Sequence, residues 1–196
     1  TIQKVEKIVG PGNAYVTAAK RQVYGHVALD MVAGPSEIMV IADETARPAY
    51  VAADMLSQIE HGSGLEQAVL LTDSEELLTG VGEELERQAG KRTRAEFIKA
   101  CMDRGTYLVL VPDLEVATEI ASQYAPEHLE IMTRTPGSHA KRVTAAGAVF
   151  LGHWTPEPVG DFVAGPSHVL PTGGAARLFN GLTVESFFRR MSVVNY

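Results

Sequence analysis

The chain lacks most of what would mark a secreted, membrane-bound or nucleic-acid-binding protein. It has one cysteine, Cys101, in 196 residues, which rules out an internal disulfide framework and fits a reducing cytoplasm. No apolar run reaches the roughly 18 residues that a membrane span needs, and the opening stretch does not read as a signal peptide. Positive charge is in deficit: 17 Lys and Arg stand against 24 Asp and Glu, for a net charge of -7. The basic residues are scattered, and their densest group, Lys91 to Arg94, reads as a loop, so nothing favours nucleic acid. What remains is a composition of 45% hydrophobic and 21% charged residues, ordinary for a soluble globular chain. The length suits one large domain or two small ones. The sequence starts at Thr1 rather than Met and enters a strand almost at once, which reads as a processed chain or an excised piece of something longer.

Short apolar runs alternate with amphipathic segments. Strands are expected at Val5–Val9, Glu37–Ala42, Gln67–Thr72, Thr106–Val111, Leu129–Thr133 and Ala148–Gly152. Helices are expected over Asn13–Tyr24, Pro48–His61, a stretch ending near Ala89 and capped by Asp73-Ser74, Thr93–Asp103, Leu114–Tyr124 and Ser138–Ala146. That alternation predicts an α/β fold: a three-layer, Rossmann-like domain with a mostly parallel sheet and helices on both faces. Residues 1–152 form the core of this reading. Residues 153–196, rich in Pro and Gly and weak in pattern until about Thr183, form a loop and extension packed on the same domain. The pentapeptide Val32-Ala33-Gly34-Pro35-Ser36 recurs as Val163-Ala164-Gly165-Pro166-Ser167, which suggests two similar turns facing one another but is too short to argue a repeat architecture.

Chemistry-bearing residues gather at element ends. Asp54, Gln58 and His61 fall at i, i+4 and i+7 on one helical face, with Gly62 as the expected stop. An imidazole beside oxygen donors is a set that zinc accepts, though a solvated polar face explains the same spacing. Glu127 and His128 are adjacent, as an acid/base pair requires, because burial raises a carboxyl and an imidazole titrates near neutrality. Asp161 lies in the Pro/Gly loop, where it serves either as an anionic ligand or as a turn former. His168 is flanked by apolar Val169 and Leu170 and reads more readily as a structural group. Gly10-Pro11-Gly12-Asn13 follows a strand and opens a helix, a weak anion-site signal that lacks the third glycine of the dinucleotide fingerprint. His26, His139 and His153 look less useful.

Taken together and in order, the stretches KIVGPGNAYVTAAKRQV, DMVAGPSEIMVIAD, LSQIEHG, YAPEHLEI, GAVFLG and GDFVAGPSHVLPT resemble the histidinol dehydrogenase family. The resemblance implies a zinc- and NAD-dependent enzyme that oxidises L-histidinol to L-histidine through the aldehyde. It implies Gln58, His61 and Asp161 as zinc ligands and Glu127 and His128 as the acid/base pair. Ser36, Gln58, His61, His128, Asp161 and His168 would contact substrate, and Asn13 would touch NAD. Asp54 drops out of the ligand set, because the family pattern has no such ligand. The family's paired-subunit site implies a homodimer. Members of the family are about twice this length, and a further zinc-ligating His and a substrate-binding Glu come from a segment absent here. The expectation is therefore an incomplete catalytic core with little activity of its own. The competing readings are a non-catalytic ligand-binding domain derived from that enzyme, which would need neither Glu127 nor His128, and a metal-dependent hydrolase.

Overall fold

The computed structural model describes residues 3–61 and 63–196. Two short strands near the amino end, β1 (Lys7–Ile8) and β2 (Ala28–Leu29), pair in parallel across helix α1 (Ala14–Val23). Asn13 caps α1, its Oδ1 accepting from the Tyr15 and Val16 amides at 3.0 and 3.2 Å. A buried ion pair holds this unit together. Lys20 Nζ lies 2.8 Å from Asp30 Oδ1, while Asp30 Oδ2 accepts from the Gly10 amide at 2.7 Å.

The main sheet has five strands, all parallel. In chain order come β3 (Glu37–Ala42), α2 (Pro48–Ile59), β4 (Gln67–Thr72), α3 (Glu75–Ala89), α4 (Ala95–Gly105), β5 (Thr106–Leu110), α5 (Leu114–Tyr124), β6 (His128–Met132), α6 (Pro136–Ala140), β7 (Ala148–Leu151) and α7 (Glu157–Phe162). The strand order is β5-β4-β3-β6-β7. Every residue of β3 is buried, as a central strand covered on both faces must be, which is why it reads as one apolar run. Alternation along the strands divides the core in two. Ile38, Val40, Ala68 and Leu70 pack with Val51, Met55 and Leu56 of α2, Leu77, Val81 and Leu85 of α3, and Ile98 of α4. Met39, Ile41, Val69, Leu71, Leu129 and Ile131 pack on the opposite face against Ala117 and Ala121 of α5. This is the expected three-layer arrangement.

Several expected elements match to the residue, among them β3, β4 and α5. Three differ in ways that matter. Strand β6 starts at His128 rather than Leu129, so the imidazole is held in the ladder opposite Ile38 and Ala148. Helix α6 is short and begins early, because Pro136 suits a first turn and the chain must leave the helix to reach β7. The segment after Trp154 contains α7, which the clustered prolines and glycine concealed. The helix stop expected at Gly62 lies outside the described residues. The two Val-Ala-Gly-Pro-Ser copies are not equivalent: Gly165 has φ +94°, Gly34 is not left-handed, and the Gly34 amide donates to Thr172 Oγ1.

Gly147 marks a tight approach. A Cβ built there would lie 2.5 Å from the Glu127 carbonyl oxygen, which itself accepts from the Ala148 amide at 2.9 Å. The obstructing atom is backbone, so the two chains must part. Gly147→Ala is expected to cost about 1–3 kcal/mol, read as a lower denaturant midpoint at unchanged slope; an unaltered midpoint would show that the contact yields freely.

Candidate functional site

The chemistry gathers at the amino ends of the strands. α/β sheets usually place their ligands beyond the carboxyl ends; here the element ends that carry the chemistry meet at the opposite edge. Helix α2 runs antiparallel to the sheet, so its last turn, with Gln58 and then His61, arrives beside the start of β6. His128 is the first residue of β6, and Glu127 directly precedes it. The approach to them is constrained. Ala125 ends α5 at φ +56°, the sole non-glycine residue in the left-handed region among the described residues, and is fully buried. That residue turns the chain sharply from helix to strand and sets where Glu127 and His128 emerge.

Backbone groups of β3 orient both side chains. Glu127 Oε2 accepts from the Glu37 amide at 3.0 Å, and His128 Nδ1 lies 3.1 Å from the Glu37 carbonyl oxygen. A carbonyl can only accept, so Nδ1 carries the hydrogen and Nε2 of the neutral ring is left with its lone pair. Burial, the largest influence, holds the His128 imidazole down at about 4 against the pull of the Glu37 carbonyl and Asp161, so the ring is a neutral base at neutral pH. Burial likewise pushes Glu127 up to about 8, with the negative charges of Glu37, Glu157 and Asp161 adding to it and the Glu37 amide opposing. The expectation for Glu127 is met in direction. His128 is shifted further from neutrality than the sequence suggested.

Glu157 is the functional candidate that the sequence reading missed. It lies on α7, one turn before Asp161, and is 3% exposed. Its Oε2 accepts from Ser57 Oγ at 3.1 Å, and its Oε1 stands 3.5 Å from His128 Nε2. Donor atoms of His128, Glu157 and Asp161 lie within 4.8 Å of one another, close enough to share a cation. Burial raises the Glu157 carboxyl, Asp161 raises it further, and the Ser57 hydroxyl opposes them. The signal that could have found it is the spacing: Glu157 and Asp161 fall at i and i+4 behind Pro156, a residue that favours helix starts.

The other expected site residues divide. Gln58 is 1% exposed, so the solvated-face explanation of the α2 spacing fails, and neither its Nε2 nor its Oε1 has a hydrogen-bond partner. A buried amide with both atoms idle is costly unless something absent from the protein alone engages it. His61 is exposed, close enough to His128 and Glu157 to influence both electrostatically, with Nδ1 3.0 Å from the Gln58 carbonyl oxygen; it lies outside the three-donor group. His128, Asp161 and His168 line a cleft of about 1200 Å³ walled by Phe150, Leu170, Phe187 and Phe188. Ser36 sits at the amino end of β3, its carbonyl accepting from the Gln67 amide. Asn13 lies on α1, its side-chain oxygen spent on capping, and is not among the cleft residues.

Behind the site, Asp54 and Glu130 share a buried pocket between α2 and β6. Glu130 is 1% exposed, and burial together with the Asp54 charge raises its carboxyl well above the ordinary range. Burial raises Asp54 to about 6. Folded Asp54 therefore keeps a proton that the unfolded chain releases near pH 4, so its stabilising contribution is full below about pH 4 and is lost as pH rises through about 6. Asp54→Asn is expected to flatten the fall in unfolding free energy across that window; urea titrations at successive pH values that gave parallel curves for both proteins would contradict it.

The histidinol dehydrogenase family matches residues 1–196. The chain is 53% identical over 195 residues to a histidinol dehydrogenase of Heliobacterium mobile, covering 100% of this chain and 46% of that one. It is 52% identical to one from Aquifex aeolicus, over 98% of this chain and 45% of that one. The crystal structure of histidinol dehydrogenase from Elizabethkingia anophelis superposes with a TM-score of 0.92 at 41% identity, over 97% of this chain and 44% of that one. A γ-glutamyl phosphate reductase from Thermotoga maritima, at 16% identity and a TM-score of 0.52, shares the fold alone. The chain spans less than half the length of the relatives it matches.

Proposed function

We propose, from the premise that this chain belongs to the histidinol dehydrogenase family, that it supplies the catalytic core of an enzyme oxidising L-histidinol to L-histidine with zinc and NAD. The observation that carries the reading is the meeting of Gln58, Glu127, His128, Glu157 and Asp161 at one sheet edge, with the lone pair of His128 Nε2 left free.

The residues fit zinc. They offer imidazole nitrogen, carboxylate oxygen and an idle buried amide, the donor types that zinc accepts. Gln58, Asp161 and, after a turn of its exposed ring, His61 would hold it. When bound, zinc would anchor and polarise the substrate, and NAD would accept hydride. The chain's own residues do the proton work. His128 Nε2 takes the alcohol proton while Nδ1 stays fixed on the Glu37 carbonyl, so the ring neither rotates nor changes tautomer. The buried Glu157 carboxylate beside Nε2 stabilises the imidazolium that forms. Glu127, once ionised, draws a proton from the water that attacks the aldehyde; the Glu37 amide steadies the carboxylate. Ser36 and His168 contact substrate, and Asn13 touches NAD. Retention of both Glu127 and His128, each buried and each tied to β3, favours this over a pure binding domain.

The reading extends to assembly. Phe162, Val163, Leu178, Phe187 and Phe188 are exposed. In a homodimer, a second subunit would cover that surface and complete the donor set. No described helix is long and apolar enough to cross a membrane, and a cytoplasmic location suits the biosynthetic role. NAD reduction with L-histidinol tests the proposal, run on the 196 residues alone and on a fusion that supplies the remaining length found in relatives. The fusion is expected to turn over and the bare chain hardly at all. His128→Asn in the fusion should slow turnover roughly 10²–10⁴-fold. A fusion that binds metal yet never reduces NAD in the presence of histidinol would overturn the assignment.

A further inference from the structure

The segment that carries His168 has little to hold it in place. Residues 161–166 and His168 are exposed, and burial resumes only at Val169, Leu170, Pro171 and Thr172. Two hydrogen bonds fasten the far end of that footing to the start of β3. The Gly34 amide donates to Thr172 Oγ1, and the Gly173 amide donates to Glu37 Oε1 at 3.0 Å. The approach is close: a Cβ at Gly34 would stand 3.2 Å from Thr172 Oγ1. Gly173 and Gly174, at φ +63° and +75°, then turn the chain away.

Both sides of this fastening lead to the site. Glu37 already holds Glu127 through its amide and His128 through its carbonyl, so its carboxyl is the third group it commits to this edge. Across the fastening, His168 and Leu170 line the same cleft as His128 and Asp161. Three buried residues separate His168 from Thr172, and one of them is Pro171, whose fixed φ leaves the stretch little freedom. A displacement at Thr172 is therefore passed on to His168 rather than absorbed. Thr172 and Glu37 are 5% and 7% exposed, so water is poorly placed to replace a lost partner.

We infer that the Glu37 carboxyl and the Thr172 hydroxyl form a latch that positions His168 in the cleft. This rests on the reading that His168 contacts substrate, and two measurements separate them. In the first, the imidazole signals of the 196-residue chain are followed by NMR. Thr172→Val, similar in shape but without the hydroxyl, should broaden or displace the His168 signals and leave those of His139 unmoved. Thr172→Ser, which keeps the acceptor, should not disturb them. Glu37→Ala should act like Thr172→Val, while Glu37→Gln, which keeps an oxygen for the Gly173 amide, restores most of the wild-type spectrum. In the second, the fusion that supplies the remaining length is assayed with L-histidinol. Thr172→Val raises KM roughly 5–30-fold, the factor that one lost buried hydrogen bond sets, with kcat little changed. Added to His168→Ala, it brings no further rise. His168 signals unmoved in both Thr172→Val and Glu37→Ala would overturn the latch, as would KM losses of Thr172→Val and His168→Ala that simply add. His168 signals that move while KM stays at the wild-type value would leave the latch standing and remove His168 from the substrate site instead.

Discussion

One backbone unit governs the site: the Glu37 peptide at the start of β3. Its amide holds the Glu127 carboxylate and its carbonyl holds His128 Nδ1, at 3.0 and 3.1 Å. Both bonds follow from the parallel register that sets Ile38 opposite His128. A shift of one residue in β6 would carry His128 to the other face of the sheet, toward α5 and away from α2. The register is in turn secured by apolar packing on both faces, so the hydrophobic core specifies the tautomer of the His128 imidazole. The chain of cause runs from buried side chains to strand pairing, then to one hydrogen bond, and so to the atom able to take a proton.

The site sits at the less usual edge of the sheet, and the reason is local. At the carboxyl edge, Asp43 is engaged with the neighbouring turns, accepting from the Thr45 and Arg134 amides at 2.9 and 2.7 Å, although Thr133 Oγ1 and His153 Nδ1 stay unpaired there. At the amino edge Gln58 is 1% exposed with neither side-chain amide atom hydrogen-bonded, and further along β6 Glu130 is equally buried with both carboxyl oxygens unpaired. Glu37, Glu127 and Glu157 crowd the same edge. Buried acids this close cannot all ionise without a compensating cation. The protein alone answers by raising Glu127, Glu130 and Glu157 toward their neutral forms. A divalent cation would answer the same strain by a different route.

Much of this was legible in the sequence. The buried β3 and β4 and two capped helices declare themselves through unbroken apolar runs and through Asn13 and Ser74, because those signals depend on residues close in sequence. The i, i+4 pairing of Asp54 with Gln58 was equally plain, but not that both would be buried, since burial depends on a partner layer. The end of the sheet at which ligands gather could not be read from spacing, because it follows from the direction of α2 against β6. Glu157 escaped because two prolines and a glycine within six residues look like a loop, and because its importance comes from Ser57 and His128, distant neighbours in sequence.

The two halves of the proposed donor set stand on unequal foundations. Gln58 rises from α2, whose Met55, Leu56 and Ile59 are fully buried in the larger core cluster. Glu157 and Asp161 rise from α7, a helix of six residues with only Glu157 buried. Beyond α7 the segment buries Val169 and Leu170 but exposes Val163, Leu178, Phe188 and Met191, and Phe162 at the end of α7 is exposed too. The main core clusters thus include no residue of α7, whereas the proposed donor set takes Asp161 from it. The Ser57–Glu157 bond is a polar stitch across that seam. Alone it is worth about 1 kcal/mol, modest for ordering a segment with so little apolar surface of its own to bury. A cation bridging Gln58 and Asp161 would add a second tie across the same seam, so metal binding and docking of α7 should be thermodynamically linked, each strengthening the other. On this argument the weak packing of α7 gives the site a means of assembling around its ligand.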